Sequence, residues 1–288
     1  MIRFLWLLLA LLTPMAVQAQ DRLVVMSFNV RLPAPGDGAN IWEKRRDLFV
    51  DTIAATAPDV IGTQELFKLQ GDYLVERLPG YSWFGIDRRG GHADEHMGVF
   101  YRRDRLKLIE HGDFWLSDTP EVPASISWGN LYPRMVTWGL FETRAGKRFY
   151  LLNTHFPYRA EDEAAREKCA RLLQARIAAL PKGVPVVLTG DFNTVPESTS
   201  HALLGEALAD ARNAVARPIG PEATFHAFKG VPDRRIDWIF TRGFAVRDYR
   251  TIDAHQGPLY PSDHFPVIAT LAWPKAARRQ GMRALGFW

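Results

Sequence analysis

Six times along this chain an apolar run of strand length stops at an amide, a carboxylate or an imidazole. Residues 23–28 run into Asn29, residues 59–63 into Gln64 and Glu65, and residues 149–152 into Asn153 and His155. Residues 186–189 lead to Asp191 and Asn193, Asp237 interrupts RRIDWIF, and Asp263 and His264 open the final run in PSDHFPV. Short continuous apolar runs suit strands buried on both faces. Ligand sites in sheet proteins gather where strand ends converge. The pattern therefore constrains fold and chemistry together: sheets whose polar ends meet at one rim.

Further strand-like runs fall at 81–86, 97–101, 135–141 and 267–273, with helical patterns at 42–55, 67–78, 161–180 and 198–207. Residues 135–141 alternate apolar and polar, and Ala145-Gly146-Lys147 turns the chain into 148–153, which predicts an antiparallel hairpin. Strand and helix alternate in the first half, whereas later strands follow one another closely. A mixed α/β stack fits this better than one parallel sheet. On the 161–180 helix Ala165, Cys169, Leu172, Leu173 and Arg176 fall near one stripe, so Cys169 reads as a small buried apolar residue. Being the single cysteine, it excludes an intramolecular disulfide and a cysteine zinc site. The stretch DRRGGHADEH at 87–96 gathers two histidines and three acids, but its spacing matches no standard ligand set and its paired glycines predict a mobile loop.

With 24% charged and 47% hydrophobic residues, a chain of 288 residues is too apolar for disorder and long enough for a sizeable core. MIRFLWLLLALLTPMAVQAQ places Arg3 before an apolar run at 4–12, then Pro14 and small residues, the pattern of a secretory signal peptide cut after Ala19. The apolar run is well short of the ~20 residues that a spanning helix needs. The expected organisation is a signal peptide at 1–19, one domain at 20–273 and a basic tail at 274–288, with export to the periplasm or beyond the cell. Net charge is +4, but it sits at the ends: Arg3 leaves with the leader, while Lys275, Arg278, Arg279 and Arg283 stand in the tail with no acid. The body is close to neutral, unlike the basic surface that a long polyanion partner usually requires.

The residue types narrow the reaction. Hard oxygen ligands such as Glu65 and Asp263, with amide oxygens nearby, suit Mg²⁺ or Mn²⁺ better than zinc. A histidine beside one aspartate and oriented by another polarises water rather than building an acyl enzyme. Metal, base and amide donors together suit attack of water on a phosphoester. Singly each has a structural explanation: Glu65 at a helix start, Asn29 or Gly190–Asn193 in a turn, Asp263 capping one. Their conjunction, each at a strand end, has none.

SFNVR, TQE, NTHF, GDFN, RIDWIF and SDHFPV, in this order, resemble the endonuclease/exonuclease/phosphatase superfamily, the DNase I-like fold, over about residues 23–273. WEKRR at 42–46, FWLSDTPEVP at 114–123 and PRMVTW at 133–138 resemble an exported bacterial branch of it. The resemblance implies a four-layered α/β sandwich, two mixed sheets face to face with helices on both outer faces and the site at one edge. It implies that Glu65 is the principal carboxylate for Mg²⁺ (Mn²⁺ as a substitute), with Asn29 beside it and Asp263 completing or supporting the shell. His264 would then act at the phosphate as general base or acid, oriented by Asp237. Asp191 would position or deprotonate the attacking water, Asn193 and His155 would hold phosphoryl oxygens, and Arg134 would contact substrate. Arg31 stands where some family nucleases carry a second acid, which undercuts a two-metal arrangement.

The resulting expectation is an exported, Mg²⁺-dependent phosphoesterase acting on a phosphodiester or phosphomonoester, monomeric and without an obligate protein partner. A secreted nuclease would need a positive groove. A sphingomyelinase-like lipid phosphodiesterase would need exposed aromatics, for which 114–116 and 128–132 are candidates, although core is the plainer reading of both. A catalytically silent binding module is opposed by the presence of Glu65, Asp191, Asp237, Asp263 and His264.

Overall fold

The computed structural model describes residues 22–274; the expected signal peptide and all but the first residue of the expected tail lie outside them. In chain order the elements are β1 (Arg22–Asn29), α1 (Trp42–Thr56), β2 (Val60–Gln64), α2 (Lys68–Arg77), β3 (Tyr81–Phe84), β4 (Val99–Arg102), β5 (Leu106–Trp115) and β6 (Met135–Thr143). There follow β7 (Arg148–His155), α3 (Glu163–Ala179), β8 (Val186–Asp191), α4 (Thr199–Gly205), β9 (Ala209–Asp210), β10 (Asp237–Arg242), β11 (Ala245–Thr251) and β12 (Val267–Ala272). They form two six-stranded sheets, ordered β11-β12-β1-β2-β4-β3 and β5-β6-β7-β8-β10-β9. Both are mixed: β1–β2 and β7–β8 are parallel pairs, and their other pairings are antiparallel.

The alternation of side chains along a strand explains the layering. On β1, Leu23 and Val25 join Phe149, Leu151, Val187 and Ile239 of the other sheet in one buried cluster. Met26 and Phe28 face the opposite way, against Phe49 and Ile53 of α1. On the far side α3 lays Cys169, Leu173 and Ile177 on Leu152, Leu188 and Phe240. Each large side chain buried this way contributes about 1.5–3 kcal/mol. The result is helix, sheet, sheet, helix, and the hairpin of β6 and β7 forms as expected.

Strands β5, β9 and β11 were not expected, for a physical reason. β9 has two residues; β5 and β11 lie at sheet edges, each carries a bulge, and polar residues occupy their exposed faces. An edge strand is covered on one side only and need not be an apolar run. Phe114, Trp115 and Leu116 are buried, so they are core rather than a lipid-seeking tip.

The sheets approach most closely just behind the rim. A Cβ on Gly62 would lie 2.1 Å from Thr189 Oγ1 and 2.5 Å from Asn153 Oδ1, so only glycine fits on β2 there. Asn153 stitches the layers together: its amide donates to Thr63 O at 2.7 Å, and its Oδ1 accepts from Gln64 Nε2 at 2.7 Å.

Candidate active site

Strand register assembles the site. His155, Asp191 and Asp237 are cross-strand neighbours on β7, β8 and β10. Asn29 and Gln64 are paired at the ends of β1 and β2, with Glu65 the next residue. The two rows meet through Asn29, whose Nδ2 donates to Asp191 Oδ2 at 2.9 Å and to Glu65 Oε1 at 3.2 Å. Asp263 and His264 enter from the segment before β12. Ser262 anchors it, its hydroxyl donating to Asn29 O at 2.7 Å and accepting from His264 N at 3.2 Å.

Three residues at this rim, Arg31, Glu65 and Asn193, have φ between 51° and 57°. Left-handed backbone costs a non-glycine residue roughly 1–2 kcal/mol; asparagine tolerates it best. At Glu65 the turn is held by its own carboxylate, which accepts from Leu32 N at 3.1 Å.

Behind these loops lies a residue that sequence reasoning quoted only as part of WEKRR. Arg45 is fully buried. It donates to five carbonyls: Asn40 (3.0 Å), Val30 (2.8 Å), Pro261 (2.7 Å), Arg31 (2.7 Å) and Leu32 (3.3 Å). One guanidinium thus ties the segment after Asn29 to the segment before Asp263. Burial lowers it to about 10, which leaves it charged at neutral pH.

His264 Nδ1 lies 2.9 Å from Asp237 Oδ2. Burial opposes the charged ring, but Asp237, by charge and hydrogen bond, and Asp191 outweigh it and raise His264 to about 10. Its other nitrogen faces Asp191 Oδ2 at 3.8 Å. Burial and then the Asp237 charge push Asp191 up to about 7. A held imidazolium and a carboxylate poised to accept a proton therefore face each other.

Asp191, Asp237 and His264 bring one ligand-type atom each within 4.8 Å of one another. His264 Nδ1 and Asp237 Oδ2 already engage each other at 2.9 Å, so the trio has the geometry of an acid–base group more than of a metal shell. Glu65 and Asp263 fit a hard cation better. Burial and then the Glu65 charge raise the Asp263 carboxyl, and Arg31 stands 3.9 Å from both. Two carboxylates crowded at one edge are hard oxygen donors suited to Mg²⁺ or Mn²⁺, while Asn29 turns its Nδ2 toward Glu65 and accepts from Arg31 N at 3.0 Å through its oxygen.

Two expected phosphate contacts separate here. The Asn193 amide donates to His155 Nε2 (2.9 Å) and to Phe156 O (3.1 Å), which engages both hydrogens. Asn193 therefore positions His155 rather than reaching a phosphoryl oxygen itself. His155 is held neutral, first by burial and then by the Arg134 charge. Arg134 has the opposite character: it is buried, lines the cleft and donates no hydrogen bond to any described residue, its guanidinium lying 6.0 Å from the Tyr158 ring centre. A buried cation with an unpartnered Nη1 facing the cleft suits an anionic acceptor.

These groups line a cleft of about 540 Å³. One wall is the 87–96 segment, which the structure shows as knit together rather than loose. Asp87 accepts four backbone hydrogen bonds, from Arg89 (2.8 Å), Gly91 (2.9 Å), Ala93 (2.6 Å) and Asp94 (2.9 Å). His92 Nδ1 and His96 Nε2 are 3.0 Å apart, and His96 Nδ1 meets Leu66 O, so both rings serve the loop. Burial pushes the Asp87 carboxyl up, but those amides hold it below its ordinary value. Its contribution is therefore complete above about pH 4, the unfolded carboxylate value, and is lost as pH falls through the lower folded one. Asp87→Asn should cost about 3 kcal/mol at pH 7. In denaturant titrations the gap from wild type should shrink below pH 4, and a pH-independent gap would contradict this.

Such a rim, with carboxylates for a cation, an acid–base group and a free arginine, is that of a phosphoesterase-type hydrolase. The family description "Endonuclease/Exonuclease/phosphatase family" matches residues 26–264, and the chain belongs to that family. A family member from Bacteroides vulgatus superposes with a TM-score of 0.83 at 31% identity, over 88% of this chain and 99% of that one. A mannosyl-6-phosphatase from Bacteroides thetaiotaomicron superposes with a TM-score of 0.81 at 32% identity, over 87% and 100%. Tyrosyl-DNA phosphodiesterase 2 of Danio rerio is 27% identical over 174 residues, 60% of this chain and 42% of the relative. The chain spans about half the length of the curated relatives it matches.

Proposed function

We propose that this protein is an exported phosphoesterase that needs Mg²⁺, or Mn²⁺ in its place, and hydrolyses a phosphoester by direct attack of water. The observation that carries the reading is the meeting, through Asn29, of Glu65 from one sheet and Asp191 from the other. Glu65 and Asp263, with Asn29 beside them, would hold the cation. When bound, it would offset charge on the phosphoryl oxygens. Asp191 takes the proton of the attacking water. His264, kept protonated by Asp237, donates from Nε2 toward the phosphoryl or leaving oxygen. Arg134 binds the phosphoryl group, and Asn193 fixes His155 beside it. Similarity to the Bacteroides mannosyl-6-phosphatase supports a phosphomonoester, and the near-neutral body supports it over a nucleic acid.

The reading is tested with purified protein and Mg²⁺ against phosphomonoesters, sphingomyelin, phosphoinositides, plasmid DNA and RNA, with Asp191→Ala as the blank. Glu65→Gln should raise the Mg²⁺ concentration for half-maximal rate by at least about tenfold, more than it changes KM. An unchanged metal titration would remove Glu65 from the shell. Export is checked by mass spectrometry of the mature protein: it should begin at Gln20, and retention of Met1 on exported protein would refute it.

A further inference from the structure

Arg31 lines the cleft beside both carboxylates that suit a cation, and the chemistry above makes no use of it. Its Nη1 lies 3.9 Å from Glu65 Oε2 and its Nε 3.9 Å from Asp263 Oδ2, too far for hydrogen bonds and close enough to act as charge. Asp37 fixes the group there. Arg31 Nε donates to Asp37 Oδ2 at 3.1 Å and Nη2 to Oδ1 at 2.8 Å, a bidentate fork that a lysine cannot make. The backbone beneath is pinned as firmly. Arg31 N donates to Asn29 Oδ1 at 3.0 Å, and Arg31 O accepts from Arg45 Nη2 at 2.7 Å and from Gln70 Nε2 at 2.9 Å. These bonds hold the residue at φ 56°, a conformation that glycine adopts with less strain. Side chain and backbone are thus both committed to keeping a guanidinium at this spot, while its Nη1 makes no hydrogen bond to a described residue.

We infer that Arg31 is a built-in cation: it confines this rim to one divalent ion and supplies, as a fixed charge beside the bound phosphoryl group, the second positive centre that another metal ion would bring. The inference rests on the phosphoesterase reading and adds to it the number of ions and a residue that governs their binding. A guanidinium has donors only, so it coordinates no metal and keeps Nη1 for a phosphoryl oxygen.

The remaining carboxylates agree with a single ion. Mg²⁺ keeps several waters and is commonly held by one or two carboxylates, so Glu65 and Asp263 suffice for one. A second ion would need carboxylates of its own, and the others that line the cleft are engaged. Arg88 pairs with Glu95 at 2.9 Å and with Asp94 at 3.0 Å. Asp191 accepts from Asn29 Nδ2 and from Asn193 N, both at 2.9 Å. A second ion would also face two positive charges, the first ion and Arg31.

The test is a Mn²⁺ titration of the full mature chain without substrate, read by calorimetry and by the EPR signal of free Mn²⁺. Wild type should bind one ion per chain. Arg31→Gln should tighten that ion by at least about fivefold, because a repelling charge is gone; Asp37 and solvent at a side chain 29% exposed keep the gain modest. The same variant should lower kcat at saturating Mn²⁺ by at least ~tenfold, since a positive group aimed at the phosphoryl oxygens is lost. A turn that had merely loosened would weaken both. Arg31→Lys keeps the charge and should hold Kd within about twofold of wild type. Arg31→Met carries the same expectation as Arg31→Gln and replaces it if that variant folds poorly. Two ions on wild type overturn the inference, as does an unchanged or weaker Kd, or an unchanged kcat, in Arg31→Gln. So does Arg31→Lys tightening the ion as much as Arg31→Gln. Each of these leaves the phosphoesterase reading standing. A chain that binds Mn²⁺ yet hydrolyses no phosphoester overturns the reading beneath, and one that binds no Mn²⁺ overturns both.

Discussion

His264→Ala is expected to lower turnover by ~10²–10⁴-fold, the span for a positioned acid–base group, and also to lower the melting temperature while leaving the protein folded, because it strands the buried Asp237 carboxylate. The ring is buried and bonded to Asp237 at 2.9 Å, and its free nitrogen faces Asp191. Removing it deletes the donor without touching Glu65 or Asp263. KM should move far less than kcat, because the idle guanidinium of Arg134 remains to bind the phosphoryl group. Steady-state kinetics at fixed Mg²⁺ decide the matter: activity within tenfold of wild type would remove His264 from the reaction.

The largest stability effect is expected at Arg45. Arg45→Met keeps most of the volume and leaves five carbonyls without their donor. An orphaned buried acceptor costs about 1–3 kcal/mol, less where the chain relaxes toward water. A total loss of about 4–5 kcal/mol is a reasonable sum. In a domain of this size that corresponds to a Tm drop of roughly 10–20 °C. Arg45→Lys should recover little, since an ammonium has three donors and no planar fork. Below its melting point the Met variant should still lose activity, because the segments after Asn29 and before Asp263 are no longer tied. Calorimetry and an assay at low temperature test the two halves separately; a Tm within 3 °C of wild type would refute the clamp.

Much of this arrangement was legible in the chain. Strands buried on both faces read as apolar runs, and the abrupt polar endings of β1, β2, β7, β8 and β10 marked the rim. Asp237 was visible because a charge inside IDWIF has no place in a core unless it is bonded. What stayed hidden has a common cause: function set by what a side chain touches, not by where it falls in a periodic pattern. Arg45 sits on a helix among other charged residues, where a solvent-facing arginine would look the same. Asn193 fits a turn and a phosphate contact equally well, and only the acceptors at His155 and Phe156 assign its amide. The wall at Arg88 and Glu95 lies in a glycine-containing loop whose order comes from Asp87 bonding to amides, which leaves no compositional trace.

One topological fact has a bearing on how the molecule comes into being. Strand β12 is nearly the last element, yet it lies in the interior of the first sheet, directly beside β1. The imidazole is delivered three residues ahead of that strand. During synthesis every earlier ligand exists before the ring that must face them, and the front strand waits with one edge bare. A chain that stopped before residue 263 would lack both Asp263 and His264 and would leave β1 without its antiparallel neighbour.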